Sequence, residues 1–304
     1  MTRAGEVVAS ASRAPAPALR GLVSYHGYDL RDVVPGRHRG LPSPYLTAVV
    51  TFGPQLELER PDGVRGRFAA CVGGLHDVPE RIVHDGRQSG IYLSVHPLAA
   101  RTLFGVPAAA LAAITVEADD VLGRLGQELA RRVADAEDDG WDARFAALDD
   151  VLLRLLGRHD AAPSASDEVR HAWRALTAPD PGGVGDLARE LGWSGDHLSR
   201  RFRAEFGVGP KLAARLARFD RARRDVARRA GEGVLALADV AVTHGYADQA
   251  HLAREFRSLA GCTATQWVDE EVHGGLVSGS AGGVVIPDDE GVATGRSDLR
   301  SPVH

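Results

Sequence analysis

The sequence is poor in the residues that staple a small secreted fold or hold a structural metal. Two cysteines, Cys71 and Cys262, stand far apart in 304 residues and outside any C-x-x-C spacing. That excludes a disulfide framework and a cysteine zinc site, and it fits a reducing cytoplasm. Lys211 is the only lysine and asparagine is absent, so arginine carries nearly all the positive charge. The net charge is -5; there is no global basic signal, and a nucleic-acid partner requires a local one. No apolar run approaches the ~18 residues of a membrane span, so no membrane partner is expected.

Catalytic signatures are missing too. His26, His38, His76, His84 and His96 are scattered through the first third of the chain, without an H-x-H or H-E-x-x-H spacing. There is no G-x-S-x-G, Walker loop or dinucleotide fingerprint. No catalytic residue, metal or other cofactor is therefore expected. Two alternatives stay open: a metal-dependent, cupin-like enzyme using some of these histidines, and a scaffold without DNA affinity. Metal content tests the first and a gel shift the second.

What is present is the composition of a soluble globular chain, 44% hydrophobic and 25% charged, with room for two domains. Residues 1–18, rich in Ala, Ser and Pro, predict a disordered leader. Residues 19–158 predict a β-rich ligand-binding or dimerisation domain: strands at YLTAVVTF, LELER, Arg67 to Val72 and Ser89 to Val95, a turn at Pro61-Asp62-Gly63, then helices. Pro97 to Phe104 predicts a short helix ended by Gly105. Leu122, Leu125, Leu129 and Val133 mark one face of a longer helix, and Phe145, Leu148, Val151, Leu152 and Leu155 that of another. Residues 159–166 predict a linker, 167–271 an all-α domain, and 272–304 a disordered tail. The fold class is thus α+β, a β-rich, cupin-like domain with following helices and then an all-helical one.

The helical part repeats itself. ELGWSGDHLSRRF (Glu190 to Phe202) and THGYADQAHLAREF (Thr243 to Phe256) share a Gly-aromatic pair, a polar run, then Leu, Arg and Phe. Ala188 aligns with Ala241, Gly192 with Gly245 and Trp193 with Tyr246 at one offset. Leu198 with Leu252, Arg200 with Arg254 and Phe202 with Phe256 follow at an offset one residue longer, which places one extra residue at the start of the second copy's second helix. Each copy reads as two helices around a glycine turn needing positive φ. Leu187, Ala188, Leu198 and Phe202 supply the apolar faces, Trp193 fills the gap, and Ser194 caps the second helix. Val240, Ala241, Tyr246, Leu252 and Phe256 repeat the set. Two helix-turn-helix units follow, each projecting polar side chains outward.

From about Val184 to Val268 the chain resembles the AraC-type (AraC/XylS) transcription regulators. The motifs are Gly207-Val208-Gly209-Pro210, Arg218 with Ala222 in the joining helix, Gly245-Tyr246-Ala247-Asp248-Gln249, and Gly261-Cys262-Thr263. Ala264, Ala213 and Trp267 depart from the usual Pro, Tyr and Tyr. The resemblance implies two helix-turn-helix units joined by a long helix, binding double-stranded DNA at bacterial promoters. It implies an activator in the cytoplasm, RNA polymerase as a partner, and a small-molecule effector acting through the N-terminal domain. Residues 90–123 are similar to a subgroup of actinobacterial regulators.

On the outward faces, Ser199, Arg200, Arg203, Gln249, His251, Ala253 and Arg254 are the candidate base readers. Arg200 suits guanine, Gln249 adenine, and Ala253 a thymine methyl. Ser194, Arg201 and Arg257 are candidates for phosphate. From Asp196 to Arg229 eleven Lys/Arg face four acids, a local balance of 11 − 4 = +7, the patch that phosphate neutralisation needs. The wide stripe Phe145, Leu148, Val151, Leu152 and Leu155 predicts a homodimer through the helices Leu122–Ala136 and Arg144–Leu156.

Overall fold

The computed structural model describes residues 7–60, 63–136, 140–159 and 164–272. Pro61 and Asp62 of the expected turn, the middle of the expected linker, and all of the expected tail beyond Val272 lie outside them.

The first half is built from ten strands: β1 (Val7–Ser12), β2 (Val23–Leu30), β3 (Gly36–Gly40), β4 (Leu46–Thr51), β5 (Leu56–Glu59), β6 (Arg65–Phe68), β7 (Ala70–Gly73), β8 (Glu80–His84), β9 (Gln88–Val95) and β10 (Thr115–Glu117). They form two sheets, one in the order β1-β2-β9-β4-β7-β10 and the other β3-β8-β5-β6. The pairs nest: β5 with β6, β4 with β7, β3 with β8 and β2 with β9, all antiparallel. This is the jelly-roll connection used by cupins, with β1 and β10 added at the edges. The expected strand Arg67 to Val72 divides between β6 and β7, one in each sheet.

The expected disordered leader is corrected from Val7 onward, residues 1–6 lying outside the described ones. Val7–Ser12 forms β1, paired with β2 from Val7↔Leu30 to Ser12↔His26. The buried Asp149 carboxylate then accepts from the Arg13 guanidinium at 2.5 Å and the Ala16 amide at 3.2 Å. Small residues leave β1 no strong signal of its own; its conformation comes from the ladder of its partner.

Strand alternation gives the large sheet two buried faces. Tyr25, Leu46, Val50, Val72, Ile91 and Leu93 pack against helices, α1 (Ala100–Phe104), α2 (Ala118–Leu122), α3 (Arg124–Asp135) and α4 (Gly140–Arg158). Phe145 stacks on Tyr25 at 5.1 Å between ring centres, and a Cβ on Gly27 would collide with Trp141. The other face, with Val49 and Cys71, meets Leu56, Leu58 and Ile82 of the small sheet around a central lumen.

Phe145, Leu148, Val151, Leu152 and Leu155 are at most 3% exposed within the single chain. The expectation that this stripe serves a dimer is therefore corrected: the sheet and α3 consume it.

The second half is helical: α5 (Asp167–Thr177), α6 (Val184–Glu190), α7 (Gly195–Phe206), α8 (Pro210–Gly231), α9 (Leu237–Thr243), α10 (Gln249–Ala260) and α11 (Ala264–Trp267), closed by a π-helical turn, Val268–Val272. The first unit shares its core with the N-terminal half. Trp173 stacks on Phe202 at 5.7 Å and lies 6.4 Å from the His96 ring. The second unit has its own core around Phe219, Phe256 and Trp267.

Candidate nucleic-acid interface

The two units repeat in geometry as well as in sequence. Gly192 and Gly245 hold φ of +68° and +71°. The Trp193 amide donates to the Ala188 carbonyl at 2.8 Å, and the Tyr246 amide to that of Ala241 at 2.9 Å. Ala188 and Ala241, 3% and 0% exposed, let the backbone pass closely. Leu187, Leu198, Phe202, Val240, Tyr246, Leu252 and Phe256 are buried, while Trp193 is half-buried across the gap.

Each second helix begins on a side-chain cap. Ser194 Oγ accepts from the His197 amide at 3.1 Å; Asp248 Oδ1 accepts from the His251 amide at 2.6 Å. These caps are equivalent, so Ala247 is the extra residue of the second copy. It lies in the turn and not, as the offset suggested, at the start of the helix. Asp248 was visible as an N-cap residue type. Ser194, spent on the cap, remains exposed.

Arg200, Arg201, Arg203, Gln249, Arg254 and Arg257 are exposed; Ser199, His251 and Ala253 are half-buried. Arg203 and Arg257 occupy equivalent positions, as do Arg200 and Arg254. The Arg200 guanidinium sits 3.2 Å from His197 Nδ1. His251 turns its Nδ1 toward the Ala247 amide at 3.4 Å and its ring edge-on to Tyr246, so it braces the turn. Ser199 and Arg203 border a cleft whose other wall is His76, Asp77, Ala112 and Ala113 of the N-terminal half.

The joining helix α8 does not present the basic face that its charge count suggests. Arg215 and Arg218 both reach the buried Glu255 carboxylate of α10, at 2.8 and 3.4 Å. Arg223 and Arg224 pair with the buried Asp220, and Arg228 and Arg229 with Asp225. Arg221 donates to the Thr177 carbonyl, and Arg218 lies 4.7 Å over the Tyr246 ring. Arg215, Arg218 and Arg221 thus fix α8 to its neighbours, while Arg223, Arg224, Arg228 and Arg229 are spent on carboxylates of α8 itself. Glu255, which sequence reasoning missed, sets how α10 sits on α8.

Two clamps hold the halves together. Arg101 makes a two-pronged ion pair with Glu205 of α7, at 2.8 and 2.9 Å. Arg39 of β3 holds the π-helical turn through Glu270 and Glu271; its amide donates to Glu271 Oε1 at 3.0 Å.

Residues 187–270 match the family model described as a helix-turn-helix domain, of the AraC type. The C-terminal part of the chain is an AraC-type helix-turn-helix domain. Its function class is DNA-binding transcription regulation. Among solved structures, ToxT of Vibrio cholerae with an unsaturated fatty acid bound is 10% identical, with 84% of this chain and 96% of that chain covered and a TM-score of 0.48. ToxT of strain O395 is 9% identical over 81% and 97%, with a score of 0.47. ToxT bound to (E)-4-(8-methylnaphthalen-1-yl)but-3-enoic acid is 10% identical over 82% and 98%, at 0.48. Scores below 0.5 at such identity do not establish a common fold. No curated protein matches the chain.

The lumen of the β-domain is the other concave feature. It is a cavity of about 250 Å³ with apolar walls from Leu30, Val49, Leu56, Leu58 and Ile82, and with Tyr28, His38, Gln88 and Tyr92 turned into it. Arg223, Arg224 and Trp267 of the DNA-binding domain stand at its rim. Burial holds the His38 imidazole down to about 4 and pushes the Cys71 thiol up to about 12. The His38 and His84 rings lie 5.8 Å apart, while His26 meets Ser12, His38 meets Gln88, and His76 meets the Val78 carbonyl. Among the described residues no group of three or more His, Cys, Asp or Glu is placed to hold a metal, and no helix is long and apolar enough to cross a membrane.

Proposed function

We propose that the chain is a cytoplasmic bacterial transcription regulator that reads promoter DNA in two successive major-groove segments and responds to a small molecule held in the β-domain lumen. Arg200 and Arg254 are the principal base readers, each able to pair with guanine O6 and N7. Ser199, Arg203, Gln249 and Ala253 contribute at the neighbouring positions. Arg201, Arg257 and Ser194 hold phosphates, and His251 acts mainly by bracing its helix. RNA polymerase is the onward partner.

The carrying observation is the doubled unit, Gly turn, aromatic plug and capped second helix, joined through α8 and anchored by Glu255. Units so joined read sites about one helical turn, ~34 Å, apart. The site of one chain is then asymmetric: two short boxes centred roughly ten base pairs apart. Footprinting on selected genomic fragments tests this, and a single box of four or five base pairs would refute it. The effector reading rests on the lumen, a partly open, largely apolar cavity with a few converging polar groups, whose rim the DNA-binding domain shares. No dimer is built into this reading, since the stripe that suggested one is buried.

A further inference from the structure

The lumen and the second clamp meet at one side chain. His38 Nε2 bonds Gln88 Oε1 inside the lumen at 2.9 Å. Its other nitrogen, Nδ1, faces Glu271 Oε2 at 3.9 Å. Glu271 belongs to the π-helical turn that closes the DNA-binding domain, and it is 1% exposed. Its Oε1 accepts from the Arg39 amide, whereas its Oε2 has no hydrogen-bond partner among the described residues. A buried carboxylate with one satisfied and one unsatisfied oxygen is costly, and here the unsatisfied one is aimed at the ring that touches the lumen.

The lumen also limits what enters it. Its walls are apolar, and its polar groups at Tyr28, His38, Gln88 and Tyr92 are uncharged. The cations at its rim already have carboxylate partners: Arg39 with Glu270 and Glu271, and Arg223 and Arg224 with Asp220. Toward β10 the charged group is an anion, Glu80, bonded to Thr115. A ligand carboxylate or phosphate would lose its hydration without meeting an unengaged cation.

Building on the effector reading above, we propose that the lumen takes a neutral, largely apolar molecule with a hydrogen-bonding group, and that the chain Gln88–His38–Glu271 reports its arrival to the DNA-binding domain. A ligand that takes up the Gln88 amide releases His38 Nε2. The ring then moves toward Glu271, whose grip on the Arg39 amide changes. The ligand shifts the arrangement of the domains to the extent that it prefers one His38 position over the other.

Two aromatic probes sharing one skeleton test the class in the full-length chain. N-phenyl-1-naphthylamine is neutral, and 1-anilinonaphthalene-8-sulfonate carries a sulfonate. The neutral probe is expected to saturate at one site and to bind at least about tenfold more tightly. Leu58→Trp, which fills the lumen, should abolish its signal, while Leu58→Ala should keep it. Amide hydrogen exchange at Arg39 then reads the clamp directly. A change of about fivefold or more on adding the neutral probe is expected in the wild type. In His38→Phe the probe should still bind while that change is lost.

Sulfonate binding as tight as neutral binding overturns the ligand class. An unchanged Arg39 amide with the neutral probe bound overturns the relay while leaving the lumen as a binding site. Binding of neither probe, or binding that survives Leu58→Trp, removes the lumen site itself and the effector reading with it.

Discussion

Glycines at the corners of the two units share a conformation and differ in surroundings, which makes them a test of how the halves dock. Gly192, Gly245 and Gly207 have φ of +68°, +71° and +75°. A Cβ on Gly192 or Gly245 meets nothing within 4 Å; on Gly207 it falls 2.2 Å from the Ala112 Cβ of the N-terminal half. Left-handed backbone costs an L-residue ~1–2 kcal/mol, and the stiffer unfolded chain returns ~0.4–1 of it. Gly192→Ala and Gly245→Ala should therefore each cost about 1 kcal/mol. Gly207→Ala adds overpacking of ~1–3 kcal/mol, for a total of about 2–4 kcal/mol. Urea unfolding of the full chain followed by tryptophan fluorescence measures all three, because Trp173 sits at the shared core. Ala112→Gly in the Gly207→Ala background should restore most of the added part. If Gly207→Ala matches Gly192→Ala, α7 does not rest on the N-terminal half in solution.

Arg200→Ala and Arg254→Ala should each cost ~1–3 kcal/mol at the preferred site and relax base preference; equal loss on random DNA, measured by gel shift, would reassign them to phosphate. Arg218→Ala should weaken all sequences alike and blur the spacing of the boxes, because its target Glu255 positions α10; unchanged footprints would show that Arg215 suffices. The Glu271 carboxyl is raised to about 7 by burial, against the Arg39 contacts that lower it. Its folded pKa exceeds its unfolded one, so its contribution is fully present below about 4.5 and lost as pH rises through about 7. Relative to Glu271→Gln, wild-type stability should fall across that window; parallel stability curves would refute this.

The second half was legible because its punctuation is local. A glycine at positive φ, an aromatic plug and an i, i+4 apolar pair leave their marks within fifteen residues, and Val240, Ala241, Tyr246, Leu252 and Phe256 are all buried as that pattern requires. The β-domain was legible only where strands are dense in β-branched residues, as in β4. GRHRG and ERIVH carry little strand signal, yet they pair with each other as β3 and β8 because nesting inside the jelly roll demands it. Non-local partners also explain what was missed at the site. Nothing near Glu205, Glu255 or Glu271 in sequence says that Arg101, Arg215 or Arg39 will meet it.

That same non-locality changes the electrostatics of DNA binding. Counted along the chain, the joining helix adds seven arginines to the reading surface. In the fold, Arg215, Arg218, Arg223, Arg224, Arg228 and Arg229 meet carboxylates and Arg221 meets a carbonyl. The cations left exposed on the reading helices and beside them are Arg200, Arg201, Arg203, Lys211, Arg254 and Arg257. Each phosphate neutralised contributes about −0.9 to the slope of log K against log salt, so these six set a limit near −5. If the joining helix also bound phosphate, the slope would exceed about −8. Titrating the full chain against its selected site from low to moderate salt separates the two. A slope steeper than about −8 would mean that Asp220, Asp225 and Glu255 release their arginines on DNA, and that the ion pairs described above belong to the unbound state alone.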